Sequence, residues 1–415
     1  MIHEFGFGTD KQLVDIPERN LYRELFANEG VNFTEEDADV KYSLEHPIAS
    51  KRLKDIVKKG EKIAIVTSDI TRPMPTAKVM PALLDELAAG GVDFTDITLV
   101  FALGSHRKQT DEEKRRLAGD YAWERINIVD SDPDDCIHMG VTANGTPVDI
   151  TRVVAEADRR IALGNIEFHY FAGYSGGVKA IMPGVSTREA IQVNHKLMIR
   201  PEACAGRLEG NPVREDIEEA GRICPVDFIL NVVLDEHKNI VKVVSGDPVA
   251  AHREGACFLD KLYTKEIDAR ADIVIVSQGG APKDLNLYQT QKALDNAKHA
   301  VRDGGIIILI GSCAEGYGEH TFEEWMLNSE SPEALAGRIQ KEFILGGHKA
   351  AAIGMVLTRA DIYLVSHMDP ALVERSFMKP YGSAQQAFDD AIAKLGADAK
   401  VITMPYGGSV LPRLV

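Results

Sequence analysis

Several polar clusters in this chain sit at the ends of apolar runs, and each holds residue types that move protons or grip anions. In SDITRPMP, Asp69 and Arg72 follow a run of aliphatic residues. A carboxylate beside a guanidinium can orient a substrate or another catalytic group. A turn-capping Asp next to a surface Arg gives the same string. In ALGSHRKQT, His106 lies just past a second apolar run. An imidazole there suits a general base, its unperturbed pKa lying near neutrality; the plain alternative is a polar loop histidine.

The most informative stretch is GNIEFHYFAGYSGGVKAIMPGVSTREAI, with His169, the glycines Gly173, Gly176, Gly177 and Gly184, and Lys179 directly after the Gly-rich turn. Glycine tolerates positive φ and lets backbone amides approach an anion. A P-loop would place Ser or Thr after the lysine, whereas Ala180 stands there. The turn therefore suits either phosphate binding or a lysine that is covalently modified, with a tight interdomain turn as the structural alternative. His195, in EAIQVNHKLM, reads as helical. No His-Glu-x-x-His pair and no Cys-rich zinc pattern accompanies it, so spacing alone does not suggest a metal. In PKDLNLYQTQKALDNA, Gln289 and Lys292 share a helix face and can grip a carboxylate near the helix start, unless the face is simply solvated.

Residues of this kind need rigid strand ends. Residues 61–69, 97–106 and 125–130 read as strands; Pro73 and Pro75 stop the first and delay a helix over 77–89, which Gly90 and Gly91 close. Runs this apolar, separated by helices, suit a parallel sheet covered on both faces. Residues 147–169 hold two strand candidates around a short turn, 225–247 a hairpin or two adjacent strands, and 252–263 a helix. From 271 the alternation restarts: strand 271–280, helix 285–301, the strand GGIIILIGSC, helix 349–360, the strand DIYLVSHMD, a helix ending near residue 395, and the strand in AKVITMPYGG. The expected fold class is α/β: two α/β domains with largely parallel sheets, residues 1–268 and 269–415, and an active-site cleft between the C-terminal ends of their strands.

The bulk properties agree. A chain of 415 residues, 45% apolar and 27% charged, is globular and long enough for two domains. Its net charge of -16 weighs against nucleic acid or an anionic membrane as the main partner, while a local Arg and Lys cluster can still bind a small anion. Cys136, Cys204, Cys224, Cys257 and Cys313 are scattered with no Cys-x-x-Cys pair and read as reduced thiols. The start, MIHEFGFGTD, carries no basic segment leading into an apolar one, and no apolar span of about 20 residues occurs. The expected setting is cytoplasmic.

Together the clusters resemble the nickel-dependent lactate racemase family, enzymes that carry a nickel-pincer nucleotide. The resemblance rests on residues 69–75, 104–107, 169–184, 195 and 280–292, and its specificity lies in their ordered combination. It implies that Lys179 tethers the cofactor's pyridinium ring through a thioamide, with Gly176 and Gly177 in the cofactor-binding turn. It makes His195 the one protein side chain on nickel, beside two cofactor sulfurs and a ring carbon. His106 and His169 become paired bases on opposite faces of the substrate. Asp69 and Arg72 match an Asp-x-x-Arg-Pro element that positions substrate and histidine, and Gln289 and Lys292 match contacts to the substrate carboxylate and oxygen. The N-terminal domain would then bind cofactor and nickel, and the C-terminal domain would add substrate contacts. The implied partners are a 2-hydroxy acid and, transiently, the proteins that make the cofactor; a homo-oligomer is left open.

The implied chemistry is coherent. Removing the carbon-bound proton of a 2-hydroxy acid would leave a poorly stabilised carbanion, whereas removing hydride leaves a neutral ketone. Two bases are needed because the enantiomers present their hydroxyls on different sides of a fixed hydride acceptor. A nicotinamide-dependent dehydrogenase would need Gly-x-Gly-x-x-Gly after a strand, which is missing here. A non-catalytic binding protein would not require Lys179, His195 and both bases together. One departure stands out: near EFILGGHKAAA, where the family prototype has tryptophan, this chain has His348. A smaller, more polar wall there implies a larger or more polar substrate than lactate.

Overall fold

The computed structural model describes residues 1–28, 31, 33–104, 106–235, 237–342, 344 and 346–415. The chain divides into two units, Gly30–Lys261 and a second made of Met1–Glu29 with Leu262–Val415.

In the Gly30–Lys261 unit a six-stranded sheet runs in the order Ile240–Gly246, Phe228–Leu234, Arg159–Ile166, Ile63–Ser68, Ile97–Ala102, Asn127–Asp130. Every neighbouring pair is parallel except the first, which is the expected hairpin. Ile63, Ala64, Ile65 and Val66 are all buried, as a central strand covered on both faces requires. The Thr76–Ala89 helix lays Val79, Met80, Leu83, Leu84 and Leu87 against Ile65, Leu99 and Phe101, an apolar stripe at helical spacing. The short turn expected within residues 147–169 is the four-residue helix Arg152–Ala155.

Strand order reverses in the middle of this sheet. From Ile63–Ser68 the next two strands add on one side, and Arg159–Ile166 and its successors add on the other. Loops leaving the C-terminal ends of Ile63–Ser68 and Arg159–Ile166 therefore diverge, and a crevice at such a switch is the usual ligand site of open α/β sheets. Asp69 follows one of these ends and His169 the other, with His106 beyond the adjoining strand.

The second unit has a six-stranded, all-parallel sheet in the order Lys379–Tyr381, Asp361–Val365, Val301–Ile310, Ala271–Ser277, Val401–Met404, Leu21–Glu24. Its last strand corrects the expected division at residues 268 and 269. The chain breaks between residues 261 and 262, and the N-terminal segment belongs with the C-terminal sheet. Leu21 pairs with Val401 at the sheet edge. Ahead of it, the antiparallel hairpin of Ile2–Phe7 and Asp10–Asp15 buries Phe5, Phe7 and Val14 in the core that holds Ile275 and Ile308. The helix expected over 285–301 is shorter, Leu287–Ala297, because Val301 already opens the next strand. Among the described residues no helix is long and apolar enough to cross a membrane.

Candidate active site

Asp69, the first residue past its strand, is only 3% exposed. Its Oδ2 lies 2.7 Å from His106 Nδ1, and its Oδ1 accepts from the Thr71 hydroxyl at 2.6 Å and the Thr71 amide at 3.2 Å. An ionised carboxylate only accepts, so His106 carries a proton on Nδ1 and, when neutral, presents its lone pair at Nε2. Burial by itself would raise the Asp69 carboxyl, but hydrogen bonds from His106 and Thr71 outweigh it and hold the group below its ordinary value. The turn is pinned by the neighbouring strand end. The Ile70 amide donates to Gln109 Oε1 at 2.9 Å, and Gln109 donates through its amide and Nε2 to Asp130 at 2.8 and 3.0 Å. Arg72 is exposed in the same turn, its amide donating to the Asp69 carbonyl at 3.2 Å.

His169 lies in the two-residue strand Phe168–His169, which pairs with Gly173–Tyr174. Inside that tight hairpin Phe171 is buried. Its ring meets His169 edge-on at 4.5 Å and His195 at 4.9 Å, and Lys179 Nζ lies 5.9 Å from its centroid. One phenyl ring thus gathers three of the expected site residues. Arg214, fully buried on the Pro212–Ile223 helix, clamps the hairpin by donating from Nε to the Ala172 carbonyl at 3.2 Å and from Nη2 to the Tyr174 carbonyl. The Ala172 amide donates to His169 Nδ1 at 3.3 Å, which puts the proton of the neutral ring on Nε2. The two candidate bases therefore rest in opposite tautomers.

Cations crowd this hairpin. Burial first, then Lys179, Arg72, His195 and Arg214, pushes His169 well below its ordinary value. Lys179 is also pushed well down, by burial first and then by Arg214 and Arg72, against the opposing pull of Glu167. An amine whose ammonium form is disfavoured in this way is more readily a nucleophile. It also weakens the fold. The unfolded chain keeps the ammonium up to 10.5, so it binds more protons than the folded one. Stability then rises with pH by about 1.4 kcal/mol per unit on this account, between the folded and unfolded values. Lys179→Met, in protein made without the cofactor pathway, is expected to raise the urea midpoint, and by more near pH 7 than near pH 9. A variant no more stable than its parent near pH 7 would show the amine to be solvated and charged.

The glycines before Lys179 serve the framework. Gly177, at φ 61°, donates its amide to Asn231 Oδ1 at 2.7 Å, and a Cβ there would stand 3.0 Å from the His252 ring. At Gly176, φ 77°, a Cβ would stand 2.7 Å from Asn231 Oδ1. At Gly177 the expectation of an amide offered to an anion is therefore corrected: Asn231, on the Phe228–Leu234 strand, already takes that amide. The close packing ends in the 3-10 turn Gly177–Ala180, which presents Lys179.

His195 lies on the Arg188–Lys196 helix with Nδ1 2.9 Å from Asn194 Oδ1. Among the described residues no three His, Cys, Asp or Glu side chains converge to hold a metal. One imidazole donor, one buried lysine whose charged form is disfavoured, and an apolar ring between them fit a lysine-linked, ring-based metal cofactor.

Gln289 and Lys292 stand in the other unit, on the Leu287–Ala297 helix, whose first turn is capped by Asn286 Oδ1 accepting from the Gln289 amide at 3.0 Å. Gln289 is half-buried and Lys292 exposed. His348, in the same unit, is 8% exposed at the start of the Gly347–Leu357 helix, and its Nδ1 accepts from the Gly346 amide at 3.2 Å. Phe171, Arg214 and His252 were not singled out in the sequence. The available signal was NPVRED, an Asn-Pro helix start with charges set among apolar residues.

Comparison with known proteins gives the family. Residues 7–206 match the lactate racemase N-terminal domain, and residues 267–412 match the lactate racemase C-terminal domain. The chain is 34% identical to the lactate racemase of Thermoanaerobacterium thermosaccharolyticum over 99% of both chains, and 32% identical to that of Lactiplantibacillus plantarum over 92% of both. It superposes on the lactate racemase apoprotein from Thermoanaerobacterium thermosaccharolyticum with a TM-score of 0.89 at 33% identity, covering 100% of each chain. A Thermotoga maritima protein at 18% identity, with a TM-score of 0.64 over 92% of this chain and 100% of its own, shares the fold. With both domains matched and a relative a third identical along nearly its whole length, the chain belongs to the lactate racemase family, nickel-dependent 2-hydroxy acid racemases that work by hydride transfer through a nickel-pincer nucleotide.

Proposed function

We propose that His106 and His169 are the proton-transfer pair of this racemase, that Lys179 tethers the cofactor and that His195 is its protein ligand to nickel. Asp69 holds His106, and Arg72 supports substrate beside it. Gln289 and Lys292 receive the substrate carboxylate and oxygen. When bound, the nickel-pincer nucleotide supplies a hydride acceptor. One histidine takes the hydroxyl proton as the substrate becomes a planar 2-oxo acid, and the other returns a proton on the opposite face.

The observation that carries this reading is the Phe171 ring, against which His169, His195 and Lys179 all stand. The test is intact mass of protein made alongside the cofactor pathway. A nucleotide-sized adduct that peptide mapping puts at Lys179 supports the tether, and fully active protein with unmodified Lys179 removes it. His195→Ala should lower retained nickel with the fold kept; unchanged nickel would take His195 off the ligand set. We propose a cytoplasmic setting, on the scattered, odd set of five cysteines in the sequence.

For the substrate we propose a 2-hydroxy acid with a longer, hydroxylated or acidic tail, such as malate or a sugar acid. His348 is buried and its Nδ1 is an acceptor, so the neutral ring has its N–H at Nε2, suited to a polar tail that lactate lacks. On a panel of enantiopure 2-hydroxy acids the longer substrates should lead, and His348→Trp should narrow the gap. Highest kcat/KM with lactate, unaffected by His348→Trp, defeats this choice.

A further inference from the structure

Behind His195 the fold buries a second polar layer. Asn194, next to it on the same helix, and Asp216, on the Pro212–Ile223 helix, are both fully buried. Asp216 accepts four hydrogen bonds. Its Oδ1 takes the Thr142 hydroxyl at 2.5 Å and Asn144 Nδ2 at 3.3 Å; its Oδ2 takes the Thr146 hydroxyl at 2.7 Å and Asn194 Nδ2 at 2.8 Å. Four donors fill the lone-pair sites of one carboxylate. Thr142, Asn144 and Thr146 come from the turn between the strands Cys136–Val141 and Pro147–Thr151, which is closed by the Thr142 amide donating to the Thr146 carbonyl at 2.9 Å. A hairpin turn and two helices are thus tied to one buried charge.

This network fixes which way the Asn194 carboxamide points. Its Nδ2 lies 2.8 Å from Asp216 Oδ2 and 3.3 Å from the Val213 carbonyl oxygen. Both neighbours accept only, so the group between them must be the NH2. A flipped amide would set its oxygen against a carboxylate and a carbonyl, and amide assignments are decided by such networks. Asn194 Oδ1 then faces His195 Nδ1 at 2.9 Å and can only accept. The direction of every bond from Asp216 to His195 follows.

We propose that Asn194 and Asp216 are positioning residues for nickel: Asp216 orients the Asn194 carboxamide, and Asn194 holds His195 as the Nδ1–H tautomer, reserving its Nε2 lone pair for the metal. The proposal rests on the reading of His195 as the nickel ligand. Metal-bound imidazoles commonly donate their other N–H to a carboxylate or carbonyl, which fixes both tautomer and ring orientation. Here the carboxylate stands one residue back. The intervening neutral amide passes on the orientation while keeping the negative charge off the imidazole.

The test begins with cofactor-free protein labelled with 15N-histidine, with the His195 signals assigned by their loss in His195→Ala. In alkaline buffer, where imidazoles are neutral, long-range 1H–15N spectra should show a pyrrole-type Nδ1 and a pyridine-type Nε2. Asn194→Leu and Asp216→Asn should give mixed tautomers, with circular dichroism as the check on the fold. Holoenzyme carrying Asn194→Leu should lose nickel to a chelator with roughly 10- to 100-fold weaker retention. An Nε2–H ring in the parent protein overturns the proposal even if neither variant folds. So does an unchanged tautomer, or unchanged nickel retention, in a folded Asn194→Leu protein. If His195→Ala keeps its nickel, the ligand reading fails, and the tautomer measurement is unaffected by that failure.

Discussion

Changing His106 or His169 to alanine is expected to slow net racemisation in both directions by roughly two to four orders of magnitude, the usual worth of a positioned acid or base. In the proposed roles every complete turnover uses both residues, so neither variant should spare one direction. The half-reactions should differ. With His106→Ala, one enantiomer should still be converted to its 2-oxo acid in a single turnover while the other is not, and His169→Ala should show the reverse. Acid-quenched single turnovers of each enantiomer read this directly. The structure adds an asymmetry in the parent enzyme. Asp69 keeps the proton of His106 on Nδ1, so its Nε2 is ready to accept. His169, held neutral by burial and nearby cations, keeps its proton on Nε2 while Ala172 occupies Nδ1. Before it can accept through Nε2 it must give up that 3.3 Å bond and move the proton. The enantiomer that depends on His106 should therefore show the faster first turnover. Equal loss from both enantiomers in both variants would instead assign the histidines a shared positioning role.

The residues that end strands were legible in the sequence because apolar, β-branched runs announce their own C-terminal ends. Asp69, His106 and His169 stand out there with no knowledge of pairing. The switch in strand order that brings two of those ends together was not legible, since it depends on which side of Ile63–Ser68 each later strand joins. Leu21–Glu24 shows the same limit more sharply: its partner, Val401–Met404, lies at the far end of the chain, and no local pattern names it. The Pro212–Ile223 helix misleads in another way. Its many charges read as a solvated face, yet Arg214 and Asp216 are buried because carbonyls, hydroxyls and amides from elsewhere satisfy them. The glycines of GYSGG were correctly read as a place of close approach, but at Gly177 the approaching group is Asn231 and not a ligand. Phe171 carries no polar atom and sits among aromatics, so nothing in its type marks it as the residue around which three candidate site side chains meet.

Asp69→Asn tests the best-defined contact of the site, because it changes one atom and barely changes volume. In the native turn both carboxylate oxygens accept, one from His106 and one from Thr71. An introduced amide has one oxygen and one NH2. If the oxygen keeps the two Thr71 donors, the NH2 meets His106 Nδ1 and forces the neutral ring into the Nε2–H form. The lone pair then points at Asn and the base is lost from the substrate side. Loss of the correct tautomer in an Asp–His pair can cost up to about four orders of magnitude. We expect a loss approaching that of His106→Ala, confined to the half-reaction that uses His106, with the His169-dependent half-reaction near its parent rate. Because the two residues act as one unit, Asp69→Asn combined with His106→Ala should be no slower than His106→Ala alone. Asp69 is held below its ordinary carboxyl value, so the contact should survive mild acid in the parent and fail only where the carboxylate itself protonates. Losses that multiply in the double variant, or that fall equally on both half-reactions, would show that Asp69 acts on the substrate or on the fold independently of His106.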